Sequence, residues 1–443
     1  MQMRKKLGYA IGDMGISISY FAVGFFFIYY LTDIVGLSPM LAGAAFFVGK
    51  LWDGVNDPLI GILSDRTRSR FGRKRVYVLF GAVPFGLSFI LLWLIPAAAG
   101  ETAKFLMAAG SLILFSTAYT AVVVPYMAMV PVMTQNYDER TQIAGLKTFF
   151  SILGTIILGG GAAILVSSFW DEVFGLRAIT ISFAVFATLS LLVAARSIKG
   201  LEKDDCGNDL VTYGFKRYLA LVREKNVLVL LSLKILGAVA TGCLVASLPY
   251  YAEHILGNKG VSSTGMALYI ASSALAIPVW HRLTHQFDKR RLLLMANLMT
   301  ALILCSMGLL VSENEVRLFY TSCILLGLAM SAYQFIPYSL VPDLVDFYEY
   351  KTGERHESVL FGLWMTAHQL GIAVAGLVLG GILSITGYVG TAGVQSGMAL
   401  LGVKLAFSAI PGFFLLAAAL VLQKYEITRK VYLEVRAALD RKI

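Results

Sequence analysis

Asp53 and Asp57 stand four residues apart in the segment GKLWDGVNDPLIG. On a helix that spacing puts both carboxylates on one side, about 40° apart, with Asn56 one turn from Asp53. Two carboxylates and an amide offer the hard oxygen ligands that a small cation takes. Lys50 shares the face and can balance one carboxylate, which leaves one negative charge over. That residual charge suits a monovalent cation, so the spacing predicts a Na+ site at Asp53 and Asp57, with a proton as the alternative ion. The competing reading is structural, with Asp53 or Asp57 paired to Lys50 or to another basic group. Either aspartate changed to asparagine is expected to leave the fold intact, because burying a charge in an apolar segment is costly. Pro58 follows Asp57 directly and predicts a local kink.

The elements that position these residues are apolar throughout. Of 443 residues, 58% are hydrophobic and only 14% charged, and the mean hydropathy is +0.74. A soluble chain of this size is excluded, and lipid is the solvent implied. Apolar stretches long enough to cross a hydrocarbon core lie near 11–33, 38–63, 76–98, 103–133, 144–168, 177–196, 226–252, 261–282, 291–311, 317–347, 357–387 and 400–423. The fold class predicted is an all-α integral membrane protein of twelve transmembrane helices in two six-helix halves. The domain boundaries expected are an N-terminal half over 1–197, a cytoplasmic linker with an amphipathic helix over 198–225, a C-terminal half over 226–423 and a cytoplasmic tail over 424–443.

The net charge of +10 comes from 37 lysines and arginines against 27 acids. Most of the basic residues fall in the N-terminus, in the loops after even-numbered spans, such as DRTRSRFGRKR and DKRR, and in the tail. The positive-inside rule therefore puts both termini in the cytoplasm, for a multi-pass protein of the plasma membrane. The basicity reads as topology, not as nucleic-acid binding. The basic start lacks a short apolar core with a cleavage site and is expected to be retained. Cys206, Cys243, Cys305 and Cys323 have no ligand spacing and predict neither disulfides nor a metal centre. No phosphate loop and no nucleophile–histidine–carboxylate arrangement is present, so no cofactor and no enzymatic activity is predicted.

Internal symmetry supports two halves. VPYMAMVP ending at Pro131 recurs as IPYSLVP ending at Pro342, DER at Asp138–Arg140 recurs as GER at Gly353–Arg355, and FGRKR from Phe71 recurs as FDKRR from Phe287. Parallel repeats place a substrate site near the bilayer midplane and support rocking of the halves. Asp65, Arg73 and Arg140 in the first repeat, with Asp343, Asp346 and Arg355 in the second, predict a cytoplasmic charge lock exchanged during alternating access. The competing reading is solvated loop charge. Polar and aromatic residues within the spans, Asp13, Lys147, Thr148, Lys234, Gln334, His368, Gln369, Tyr119, Tyr126, Tyr333, Tyr338 and Trp364, are substrate-site candidates. Snorkelling or packing is the alternative for each. Function as a monomer is expected.

These motifs resemble those of the glycoside-pentoside-hexuronide cation symporters of the major facilitator superfamily, the melibiose permease-like group that also takes in sodium-dependent lysophosphatidylcholine symporters. The resemblance is carried by LGYAIGD and YLTDIVGL in span 1, LWDGVNDPLIG in span 2, SRFGRKR after it, YTAVVVPYMAMVP in span 4 and IPYSLVPDLVDFYEY in span 10. It implies cation-coupled symport of a glycoside, uronide or other small organic solute, with Asp53, Asn56, Asp57 and Thr120 on the cation-ligand positions. Departures matter as much. Ser17 and Val123 stand where the permease has acidic groups, Gln369 where the group often has a lysine, and Thr148, beside Lys147, where it has an arginine. A galactoside site of that kind is not preserved, and the apolar Val123 leaves open an amphiphilic, lysolipid-like substrate.

Overall fold

The computed structural model describes residues 2–134, 137–158, 172–201, 223–312, 315–352 and 357–440, and all of their regular secondary structure is helical. The first predicted span is one path in three pieces: α1 (Met3–Ala10), α2 (Gly12–Tyr29) and a π-helical turn, Tyr30–Ile34. There follow α3 (Pro39–Arg66), α4 (Arg75–Leu91), α5 (Glu101–Met127), the short α6 (Val130–Met133), α7 (Tyr137–Ile156) and α8 (Glu172–Ser197). The second half of the sequence forms α9 (Lys225–His254), α10 (Gly260–Gln286), α11 (Lys289–Leu310), α12 (Val316–Thr352), α13 (Glu357–Ile385), α14 (Gly397–Phe407), α15 (Ala409–Leu422) and α16 (Arg429–Asp440).

Among the described residues, nine helical stretches are long and apolar enough to cross a membrane. The other three predicted spans also fall on helices. α3 is 28 residues long but carries Lys50, Asp53 and Asp57; α4 has 17 residues, and α7 has 20 with a polar first turn. The amphipathic helix expected in the linker falls largely within 202–222, outside the described residues. The helix α16 in the tail is an addition that the sequence reading did not contain. It packs on α12, and the Arg429 backbone N–H donates to Asp288 Oδ2 at 3.0 Å.

The chain forms two compact units. The first comprises Met1–Asn208, Val245–Ala267 and Gly376–Gly402, and the second Asp209–Leu244, Leu268–Ala375 and Val403–Ile443. In the first unit α3 packs along α5, α4 lies on α5 and α8, and α2 is held between α7 and α8. Lipid supplies no hydrophobic drive between helices, so close approach depends on small residues. A Cβ on Gly15 would stand 2.6 Å from Ala187 Cα, and one on Gly154 would stand 2.7 Å from the Met14 carbonyl oxygen. Glycine at those two positions sets how closely α2 meets its neighbours. In the second unit α11 packs on α12 and α15.

The repeated basic motif donates to backbone carbonyls far along the chain in both units. Lys74 Nζ donates to the Ala128 carbonyl at 3.3 Å, and Arg75 Nε to the Ala195 carbonyl at 2.6 Å. In the second motif Lys289 Nζ donates to the Ser339 carbonyl, inside α12, at 3.1 Å, and Arg290 Nη1 to the Tyr425 carbonyl, just past α15, at 3.0 Å. Arg290 Nη2 also donates to the Gln423 carbonyl. Carbonyls at helix C-termini lack intrahelical donors and carry partial negative charge, so a cation there satisfies both needs.

Candidate cation and substrate sites

The cation-site candidates come together on the facing sides of α3 and α5. Lys50 Nζ lies 2.9 Å from Asp53 Oδ2, with both side chains about 4% exposed. The same ammonium stands 4.8 Å from the Tyr20 ring centroid, and Tyr20 packs against Tyr119 at 5.6 Å. Asp57 Oδ1 accepts from the Thr120 hydroxyl at 2.7 Å. Asn56 Nδ2 donates to the Ser116 carbonyl at 3.4 Å, a bond that does not use the amide oxygen. Pro58 has no N–H to return to the Gly54 carbonyl, yet α3 runs on through it to Arg66. A side chain at Gly54 would meet open space.

The charge of this cluster does not close. One ammonium faces two carboxylates, and it engages only one oxygen of Asp53; the other, Oδ1, is buried with no hydrogen-bond partner. The buried Ser116 hydroxyl is likewise without a partner. A carboxylate oxygen left dry and unpaired is expensive, and an added cation would remove that cost. Asp53 Oδ1, Asp57, Thr120 Oγ1 and the Asn56 amide oxygen are hard oxygens, the ligand type that Na+ takes. The sequence reading did not include the cation–π contact of Lys50 with Tyr20, nor Ser116; neither carries a spacing signal.

The substrate candidates sort into different environments. Asp13 and Lys147 face one another, Lys147 Nζ standing 3.6 Å from Asp13 Oδ1 with both side chains about 11% exposed. Lys147 also lies 4.6 Å from the Tyr126 ring centroid. Tyr126 stacks on Tyr9 at 4.5 Å and donates to the Tyr9 carbonyl at 2.8 Å. The Ser17 and Ser151 hydroxyls are 2.6 Å apart. Val123 is buried, and Tyr119 continues the aromatic row through Phe115 and Phe85. Thr148 is exposed and bonds back to the Ala144 carbonyl at 3.0 Å.

In the second unit, exposed Gln334 donates to the Tyr269 hydroxyl at 3.1 Å. Trp364 is buried with its indole N–H unpartnered, and the Gln369 side-chain oxygen is also without a partner. Trp364, Tyr333 and Tyr338 stand around Lys234. No motif spacing in the sequence pointed to that grouping.

Of the charge-lock candidates, Asp343 lies 2.6 Å from Lys289 Nζ, a partner from the repeated FDKRR motif that the sequence reading did not name. Asp346 is buried and Arg73 half-buried. Arg355 lies outside the described residues, as do the side chains of Asp65 and Arg140. The structure also gathers Asp33, Glu253 and His254 within 4.8 Å of one another, with Tyr388 Oη donating to Asp33 at 2.6 Å and 2.7 Å from His254 Nε2. Such side chains from three distant stretches give no local signal.

The sequence model of the family described as MFS/sugar transport protein matches residues 8–429. The chain belongs to that family. It is therefore an integral membrane transporter of the major facilitator superfamily, not an enzyme. Its relatives include a putative glycoside/cation symporter of Escherichia coli, YagG, 26% identical over 97% of this chain and 93% of that protein. Another is the sodium-dependent lysophosphatidylcholine symporter 1-A of Danio rerio, 26% identical over 95% of this chain and 85% of that protein. Among solved structures, a D-xylose-proton symporter superposes with a TM-score of 0.70 at 13% identity, covering 96% of this chain and 98% of that one; that likeness concerns the fold alone.

Proposed function

We propose that this transporter couples Na+, or a proton in its place, to the uptake of a glycoside, uronide or other small organic solute by alternating access. It works in the plasma membrane with both termini cytoplasmic. The observation that carries the coupling is the open charge on α3: two carboxylates, one lysine, and a buried Asp53 oxygen with no partner. With the ion bound, the cluster becomes neutral and its oxygens are satisfied, so the ion-loaded state is the one that can reorient across a low-dielectric core at least cost. Ion and substrate binding then strengthen one another by the same factor, as linkage requires.

A sodium-coupled amphiphile carrier is the second reading. It is favoured by the lysophosphatidylcholine symporter among the relatives and by the buried, apolar Val123. The test is uptake into proteoliposomes under an imposed sodium gradient, for wild type and Asp57→Asn, with glycosides, uronides and lysolipids as parallel substrates. Accumulation should require the gradient in the wild type and vanish in the variant. Accumulation that persists in Asp57→Asn with unchanged sodium dependence would place coupling elsewhere.

A further inference from the structure

Lys234 lies on α9 within an apolar span and is 4% exposed. Its ammonium stands 4.8 Å from the Trp364 ring centroid, 4.9 Å from Tyr338 and 5.6 Å from Tyr333. Tyr333 is fixed in turn, donating from its hydroxyl to the Lys234 carbonyl at 3.0 Å, while Gly237 leaves room for its ring. No carboxylate pairs with Lys234 among the described residues, in contrast to Lys50 and Lys147.

Aromatic faces attract a cation but carry no net charge, so Lys234 remains a whole positive charge in a low-dielectric setting. The Trp364 ring that covers it is 1% exposed, and its indole N–H has no acceptor. An ammonium and an N–H donor, both buried and both without an anionic acceptor, make a pair that lacks an anion. Tyr338 is 43% exposed and leaves one wall of the cage accessible. Lys234, Tyr333, Tyr338 and Trp364 all lie in the second compact unit.

We infer that Lys234 and Trp364 form an anion subsite that selects a substrate bearing a carboxylate, so that among the small solutes considered above the cargo is a uronide and not a neutral glycoside. The inference rests on the symporter reading for its substrate class. Lys234 supplies charge, Trp364 a hydrogen bond, and the tyrosine rings hold the ammonium in place and exclude competing water. With the surplus negative charge near Asp57 taking a cation, cation and anion would each neutralise a charge that the protein already carries.

The experiment measures equilibrium binding to the full chain in lipid nanodiscs with saturating sodium. Three probes share a ring: methyl β-D-glucuronide, its uncharged methyl ester, and methyl β-D-glucoside. Wild type should bind the glucuronide at least tenfold more tightly than either neutral probe. Lys234→Met should abolish the difference between the glucuronide and its uncharged ester, and Trp364→Phe should narrow it. Equal affinity for charged and neutral probes, no binding of the glucuronide, or an unchanged preference in Lys234→Met would each overturn the inference. The ester comparison uses the unaltered protein and so stands whether or not a variant folds. Gradient-driven uptake of the glucoside that survives in Lys234→Met, with no uronide preference in the wild type, sinks the anion subsite but leaves cation coupling standing. A Lys234-dependent uronide preference without any sodium dependence does the reverse.

Discussion

Asparagine at position 53 and asparagine at position 57 look alike in the sequence but remove different things from the structure. Asp53 is the partner of Lys50 at 2.9 Å, and neither is more than about 4% exposed. Removing one member of a buried pair leaves the other charge uncompensated, which costs about 3–5 kcal/mol. Asp57, one turn away, takes up part of the Lys50 field, so the lower end, about 3 kcal/mol, is expected for Asp53→Asn. Asp57→Asn instead deletes the surplus charge. Its new amide oxygen can still accept from Thr120 Oγ1, so the ion-free protein should change by no more than about 1 kcal/mol in either direction. Sodium separates the two further. At a hundredfold excess over its dissociation constant, a bound ion stabilises the folded state by about 2.7 kcal/mol, and in Asp57→Asn that gain should disappear.

The assay is the thermal unfolding midpoint of purified protein across a sodium titration, with choline holding ionic strength constant. Wild type should rise with sodium, Asp57→Asn should start near the wild-type value and stay flat, and Asp53→Asn should start several degrees lower. The double variant Lys50→Met with Asp53→Asn should recover part of that loss, because the orphaned ammonium goes with its partner. A sodium-dependent rise kept in Asp57→Asn, or an Asp53→Asn variant as stable as Asp57→Asn without sodium, would refute the assignment of one carboxylate to Lys50 and the other to the ion.

Other expectations follow from the helix ends and the cage. A cysteine at Asn258, in a protein stripped of its native thiols, should react with an impermeant maleimide added outside intact cells; labelling only after permeabilisation would reverse the topology. Arg290→Met removes charged donors from the Tyr425 and Gln423 carbonyls and should cost about 1.5–3 kcal/mol per bond before solvent takes over part of the role, read as a lower unfolding midpoint. Gly237→Ala would place a Cβ 2.0 Å from Tyr333 Cζ; the overpacking, about 1–3 kcal/mol, outweighs the roughly 1 kcal/mol of added helix propensity, and glucuronide binding should weaken severalfold. Glu224 is held below its ordinary 4.5, first by the Tyr348 hydroxyl and then by Lys351. A lowered carboxylate stabilises above its unfolded value and loses that contribution as pH falls through the folded one, so Glu224→Gln should be slightly less stable at pH 7, lack the small acid-side slope below about pH 4.5, and converge with the wild type at lower pH.

The helical membrane architecture was legible in the sequence because lipid leaves the backbone few options: each span must satisfy its own hydrogen bonds, and apolar runs of sufficient length declare themselves. The pairing of Asp53 with Asp57 was legible for a related reason, since residues four apart on one helix share a face whatever else the chain does. The repeats at Phe71 and Phe287 were visible as words, but their work was not. That Lys74, Arg75, Lys289 and Arg290 donate to backbone carbonyls fifty or more residues away depends on where those distant segments lie. Which aspartate Lys50 takes, which residue pairs with Asp343, and which rings enclose Lys234 were decided only by tertiary packing. A charge in lipid must find a partner or a cage, and the sequence shows that the need exists without showing which of several helices, tens or hundreds of residues away, meets it.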